Sequence, residues 1–260
     1  MAKNGVKPVA TRAADQLQVK IYETRQDMGA AAGQAVANKM RSLLASQDRV
    51  SMVFAAAPSQ NEFLDALTAA EGIDWSRVTA FHLDEYIGLP AGAPQRFAKY
   101  LEDHLFGRVT FGKIHLIDVT AESEAECERY TALLKANPLD IACVGIGENG
   151  HLAFNDPPVA DFSDPKTVKV VELDQVCRQQ QVNDGCFPHI DAVPTHALTM
   201  TVPAIMEAKE IHCIVPGPTK AEAVERTING PIATSCPASI MRKHASATLY
   251  IDRAAGAKIL

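Results

Sequence analysis

Short apolar runs alternate with amphipathic stretches along most of this chain, and that alternation limits the folds open to it. The runs are Val50–Ala57, Val78–Leu83, Ile114–Ile117, Ile141–Gly147, Ile211–Val215 and Thr248–Ile251. Each is too brief for a helix and apolar enough to be a strand covered on both faces. Between them, apolar residues recur at helical spacing. Met28, Ala32, Val36, Met40, Leu43 and Leu44 form one stripe, and Phe63, Leu64 and Leu67 a second. Phe97, Leu101 and Leu105 form a third, and Tyr130, Leu133 and Leu134 a fourth. Strand–helix alternation of this kind predicts an α/β fold: a doubly wound, mostly parallel sheet flanked by helices.

Composition narrows the function classes. With 260 residues and 47% hydrophobic side chains, the chain can bury a full core, and one large domain is expected. A net charge of −6 argues against a nucleic-acid partner, because a phosphate backbone needs clustered Lys and Arg. No stretch approaches the ~20 apolar residues of a membrane helix, so no membrane partner is expected. The six cysteines, 127, 143, 177, 186, 213 and 236, have no metal-ligand spacing and mostly sit among apolar neighbours. Most read as reduced core residues of a cytoplasmic protein, and no metal site is expected. Residues 1–15 lack the apolar core of a secretory signal and read as a flexible N-terminal extension. The stretch 155–192 is the least regular, and 162–190 within it is a candidate lid.

In doubly wound sheets ligands bind beyond the carboxyl ends of the strands, so four strand exits carry the chemical interest. At the first, Ala57-Pro58-Ser59-Gln60, Ser59 precedes Glu62 by three residues, the spacing of a capping box. This is either a capped helix or a helix N-terminus holding an anion. The exit Gly217-Pro218-Thr219-Lys220 repeats the spacing with Thr219 and Glu222, and places Lys220 against its own helix dipole. A cation there costs about 0.3–1 kcal/mol unless an anion sits between it and the helix end. The exit Leu83-Asp84-Glu85-Tyr86 sets two carboxylates side by side, either as a turn cap or as a general base with a supporting neighbour. The richest exit is Gly145-Ile146-Gly147-Glu148-Asn149-Gly150-His151, followed by Phe154-Asn155-Asp156-Pro157. Its G-x-G-x-x-G spacing resembles a dinucleotide fingerprint. A histidine leaving such a turn five residues before an aspartate is better placed for acid–base work.

Together these residues resemble the glucosamine-6-phosphate deaminase (isomerase) family, in the sugar-phosphate isomerase group that also holds the 6-phosphogluconolactonases. The resemblance runs from about Gln16 to the C-terminus and makes 16–260 a single modified Rossmann-like domain. Its most specific pieces are Leu83–Pro90 and Gly145–Pro157. The lactonases share the glycine–histidine turn but lack the Phe-Asn-acid-Pro continuation and the Asp-Glu-Tyr element. The resemblance implies conversion of an amino-sugar 6-phosphate to fructose 6-phosphate and ammonia, without cofactor. Galactosamine 6-phosphate, a lactone, or phosphosugar sensing without turnover are the alternatives. It implies that Asp84 moves the C2 proton and that His151 assists ring opening. Asp156 would orient His151 in a place where the family usually has Glu, and Asn149 occupies a matching motif position. Lys220, with Ser59, Ala57 and Gln60, would hold the phosphate, while Glu85 and Arg178 are supporting candidates. The partner implied is a small sugar phosphate; relatives occur as monomers and as homo-oligomers, which leaves a homo-oligomer open. Two departures stand out. The family's Thr-Gly-Ser-Thr-Pro phosphate loop is replaced by Ala56–Gln60, and its lid arginine is missing from Gln181–Phe187.

Overall fold

The computed structural model describes residues 5–260. The six apolar runs form strands β3 (Val50–Phe54), β4 (Val78–His82), β6 (Lys113–His115), β7 (Ile141–Val144), β10 (Glu210–Val215) and β11 (Ala247–Asp252). With β1 (Ala10–Ala14) and β2 (Leu17–Tyr22) they make an eight-stranded sheet of order β1-β2-β11-β10-β7-β3-β4-β6. Every pairing is parallel except that of the edge strand β1 with β2. Residues on the central strands alternate between two cores. Val53, Phe81, Ala142 and Val144 face one side, and Met52, Phe54, Ala80, Ile141 and Cys143 the other. The first core is covered by α4 (Ser123–Ala136) and α7 (Ala221–Asn229), through Tyr130, Leu134, Val224 and Ile228. The second is covered by α1 (Arg25–Leu44) and α2 (Asn61–Thr68), through Met28, Val36, Met40, Phe63 and Leu67. The third amphipathic stripe becomes a short α3 (Phe97–Leu101) followed by a π turn over Glu102–Phe106. α6 (Val202–Met206) is a short connector.

Two expectations need correction. The N-terminal extension is shorter than 15 residues, because Ala10–Ala14 pairs in register with Leu17–Ile21. Three exposed residues in β1 hid it, whereas Leu17, Val19 and Ile21 of β2 are buried in strict alternation. Residues 1–4 of that expected extension lie outside the described residues. The candidate lid is also built rather than irregular. It carries β8 (Val168–Glu172) and α5 (Gln175–Asn183). β8 joins β9 (His196–Met200) and β5 (Asp84–Tyr86) in a separate antiparallel sheet of order β5-β9-β8. Its core is aromatic: Tyr86 lies 4.8 Å from Phe97, 5.2 Å from Phe154 and 5.5 Å from Phe187 between ring centroids. All six cysteines are free thiols, and five are buried. Among the described residues, no helix is long and apolar enough to cross a membrane.

Candidate active site

The chain starts outward from β3 in one direction (β4, β6) and then returns to β3's other side (β7, β10, β11). The exits of β3 and β7 therefore diverge, which opens a crevice at this switch point. A cleft of about 260 Å³ lies there, lined by all four exits singled out in the sequence: Ala57–Gln60, Asp84, Gly145–Gly147 with His151, and Gly217–Lys220. α5 closes one wall with Gln180 and Gln181, joined by Asp184 just past its end, and Phe97 and Phe154 add apolar lining.

His151 is fixed by its neighbours. Its Nδ1 lies 2.8 Å from Asn149 Oδ1 and 2.9 Å from Asp156 Oδ1. The Asn149 amide is oriented by two further bonds. Its Oδ1 accepts the His151 backbone N–H, and its Nδ2 donates to Asp156 Oδ1 at 2.8 Å. With oxygens on both sides, Nδ1 carries the proton, and Nε2 presents a lone pair. Gly147 makes room for the ring, since a Cβ there would come within 2.1 Å of it. Ala153, in the cleft wall, holds a left-handed φ of 49°. Asn155 ties this turn to β9 by donating to Leu152 O and Met200 O. Burial pushes the Asp156 carboxyl up, but bonds from His151 and Asn149 and the imidazole charge outweigh it and hold it below the usual range. Asp156, His151 and Cys177 bring ligand-type atoms within 4.8 Å of one another. The Nδ1–carboxylate bond already uses two of those atoms, so the arrangement works as a hydrogen-bond network rather than an open ligand set.

Asp84 is the opposite case. It is buried, yet no protein group donates to its carboxylate among the described residues. Burial, with the nearby charges of Glu85 and Asp156, pushes it well above the ordinary carboxylate range. An unpaired carboxylate of raised basicity at a cleft wall is suited to taking a proton from carbon.

Lys220 is 5% exposed, and its ammonium has no hydrogen-bond or ion-pair partner among the described residues. Burial lowers it from the ordinary lysine value, against the opposing pull of Asp184 and Glu148. Its loop is set by Asp252 at the end of β11, whose carboxylate accepts the Gly217 N–H at 3.1 Å. Across the cleft, Gln60 Nε2 donates to Ser59 Oγ at 3.0 Å and to Ile214 O at 3.2 Å.

Some expected roles are corrected. Neither capping box forms: both helices open with a 3₁₀ turn, at Pro58–Gln60 and Pro218–Lys220, without a side-chain cap. Glu62 pairs instead with Arg25 at 2.7 Å, and Glu222 with Lys258. Glu85 and Arg178 lie outside the cleft. Glu85 accepts the N–H groups of Tyr86, Phe97 and Ala98, each at 3.0 Å, and so anchors the start of α3. Arg178 donates to Ile190 O and Val193 O, holding the turn that leads into β9. Residues the sequence reading missed also line the site. These are Arg25, Gln180 and Asp184, with Cys177 behind Asp156. They come from helices distant in sequence and carry no motif.

Comparison with known proteins agrees with this geometry. The family model for glucosamine-6-phosphate isomerases/6-phosphogluconolactonase matches residues 23–250. A glucosamine-6-phosphate deaminase from Listeria innocua is 38% identical over 198 residues, covering 76% of this chain and 82% of that one. One from Bacillus thuringiensis is 38% identical over 184 residues, covering 70% and 68%. The solved structure of a monomeric glucosamine-6-phosphate deaminase superposes with a TM-score of 0.84 at 30% identity, over 92% of this chain and 98% of that one. A 6-phosphogluconolactonase from Thermotoga maritima has a TM-score of 0.74 at 19% identity, over 91% and 99%, a likeness of fold alone. The chain belongs to the glucosamine-6-phosphate isomerase/6-phosphogluconolactonase family.

Proposed function

We propose that this protein is an amino-sugar 6-phosphate deaminase, converting glucosamine 6-phosphate and water to fructose 6-phosphate and ammonia. The observation that carries this reading is the pair facing one cleft: an unpaired, basic Asp84 carboxylate and a histidine whose Nε2 lone pair is exposed by a locked Nδ1–H. A lactone hydrolase has no use for a base directed at a carbon acid.

The chemistry follows in order. His151 Nε2 takes the proton of the anomeric hydroxyl and returns one to the ring oxygen, opening the pyranose to the aldehyde. Asp156 and Asn149 stabilise the imidazolium that forms in passing, Asp156 as a buried anion on Nδ1. Asp84 removes the C2 proton, giving an enolamine, and delivers it to C1 while an amine proton passes to O1, which leaves an imine at C2. The C2 imine then adds water and expels ammonia. The substrate phosphate lies at the Lys220 end, where the partnerless ammonium and the Ser59 hydroxyl meet it.

A substrate panel tests the reading. Glucosamine 6-phosphate is expected to yield ammonia and a ketose phosphate in equal amounts. Acid release from 6-phosphogluconolactone, with no ammonia from any amino-sugar phosphate, would overturn it.

A further inference from the structure

We propose that Arg25, at the start of α1, is the second cation of the anion-binding end of the cleft. The inference rests on the reading above that this cleft takes a sugar phosphate.

The charge balance at that end calls for one. A phosphomonoester carries about −1.5 to −2 at neutral pH. Lys220 supplies one positive charge, and the carboxylates of Asp184 and Glu148 act on that same ammonium. Pro58 removes a backbone N–H from the loop beside it. Among the described residues, Arg25 and Lys220 are the two Lys/Arg side chains that line the cleft.

Arg25 is placed for the task by packing. Gly29 and Gly33, one and two turns further along α1, let this helix lie directly on α2. A Cβ at Gly29 would come within 2.4 Å of Glu62 Cβ, and one at Gly33 within 2.6 Å of Ala66 Cβ. That close approach brings the first turn of α1 onto the turn that opens α2. The guanidinium is then pinned twice: Nε donates to Glu62 Oε1 at 2.7 Å, and Nη2 donates to Pro58 O. A guanidinium has five N–H bonds, so three stay free for a ligand. Two anchors pre-organise the fork, which lowers the entropy lost when an oxyanion binds. Arg25 also opposes the dipole of its own twenty-residue helix, as a cation in the first turn. Lys220 sits at the start of α7 in the same unfavourable sense, so both cations face one cleft from helix N-termini.

The test measures binding of sorbitol 6-phosphate, an open-chain hexitol phosphate that cannot react, with free sorbitol as the control ligand. Arg25→Ala is expected to weaken binding of the phosphate by about tenfold or more. It should leave sorbitol binding unchanged, and raise KM for glucosamine 6-phosphate while kcat stays within about threefold. Glu62→Gln breaks the same ion pair but keeps the cation, and is expected to retain or tighten phosphate binding. Wild-type affinity in Arg25→Ala overturns the proposal. So does an equal loss in Glu62→Gln, which would mean that Arg25 only braces α1 against α2. The binding arm does not depend on turnover. Loss of phosphate affinity in Arg25→Ala, in a protein that deaminates nothing, would sink the deaminase reading and leave Arg25 as the phosphate ligand.

Discussion

Asp84 and His151 stand 67 positions apart in sequence and do opposite things with burial. His151 is surrounded by acceptors that fix its tautomer, whereas Asp84 is left without donors so that its carboxylate stays basic. Asp84 can act as a base only when ionised. Because burial and the charges of Glu85 and Asp156 raise it, activity should be lost on the acid side at a higher pH than an ordinary carboxylate would give. Asp156→Asn removes one of those charges. The acid limb of kcat/KM is expected to move to lower pH, while kcat falls because the imidazolium loses its buried counter-ion. A pH–rate profile of the variant checks both, and an unmoved limb would detach Asp84 from that limb. The motif residues were legible because each follows a strand, and strand ends are where such folds bind ligands. Arg25 was not, since only the α1–α2 contact at Gly29 and Gly33 carries it to the cleft.

At the scale of elements, Glu85 shows how adjacent acids divide their work. Its two oxygens take the Phe97 and Ala98 N–H groups at the entry to α3 and the N–H of Tyr86 in its own strand, so this fully buried carboxylate is a structural anchor. Glu85→Gln replaces one acceptor oxygen with an N–H₂ group facing the Ala98 N–H. A loss of about 1–3 kcal/mol is expected, read as a lower urea midpoint at unchanged m-value. The central strands were legible as apolar runs because both faces of a parallel sheet are covered. The three-stranded sheet was hidden, because Asp84–Tyr86 is a three-residue strand that reads as a turn. The helix starts were misread for a different reason. The Ser59–Glu62 and Thr219–Glu222 spacings are right for capping, but both glutamates are drawn off to distant basic residues.

For the whole molecule, the position of the cleft follows from topology, and its charge is local. The chain is acidic overall at −6, yet Arg25 and Lys220 both line the crevice. Acid stability is also a property of the whole fold. His82, buried at the end of β4, accepts the Ile117 N–H on Nε2 at 2.8 Å, joining β4 to the segment after β6. Burial, with the Arg96 charge adding to it, pushes this imidazole down to about 3 from 6.5. The unfolded chain therefore binds a proton at His82 that the folded chain refuses between those values. This contribution is complete above about pH 6.5 and drains away as pH falls toward 3. The thermal midpoint should drop across that window, and His82→Gln, which keeps an acceptor for Ile117, should flatten the slope. The central claim is that one carboxylate, Asp84, carries hydrogen between two carbons of an amino sugar. Glucosamine 6-phosphate deuterated at C2 puts that claim to the test, with wild type and Asp84→Asn assayed side by side. The wild type is expected to release ammonia and give a ketose phosphate retaining some deuterium at C1, with the rate falling about 10²-fold or more in Asp84→Asn. Deamination at an undiminished rate by Asp84→Asn would contradict the account.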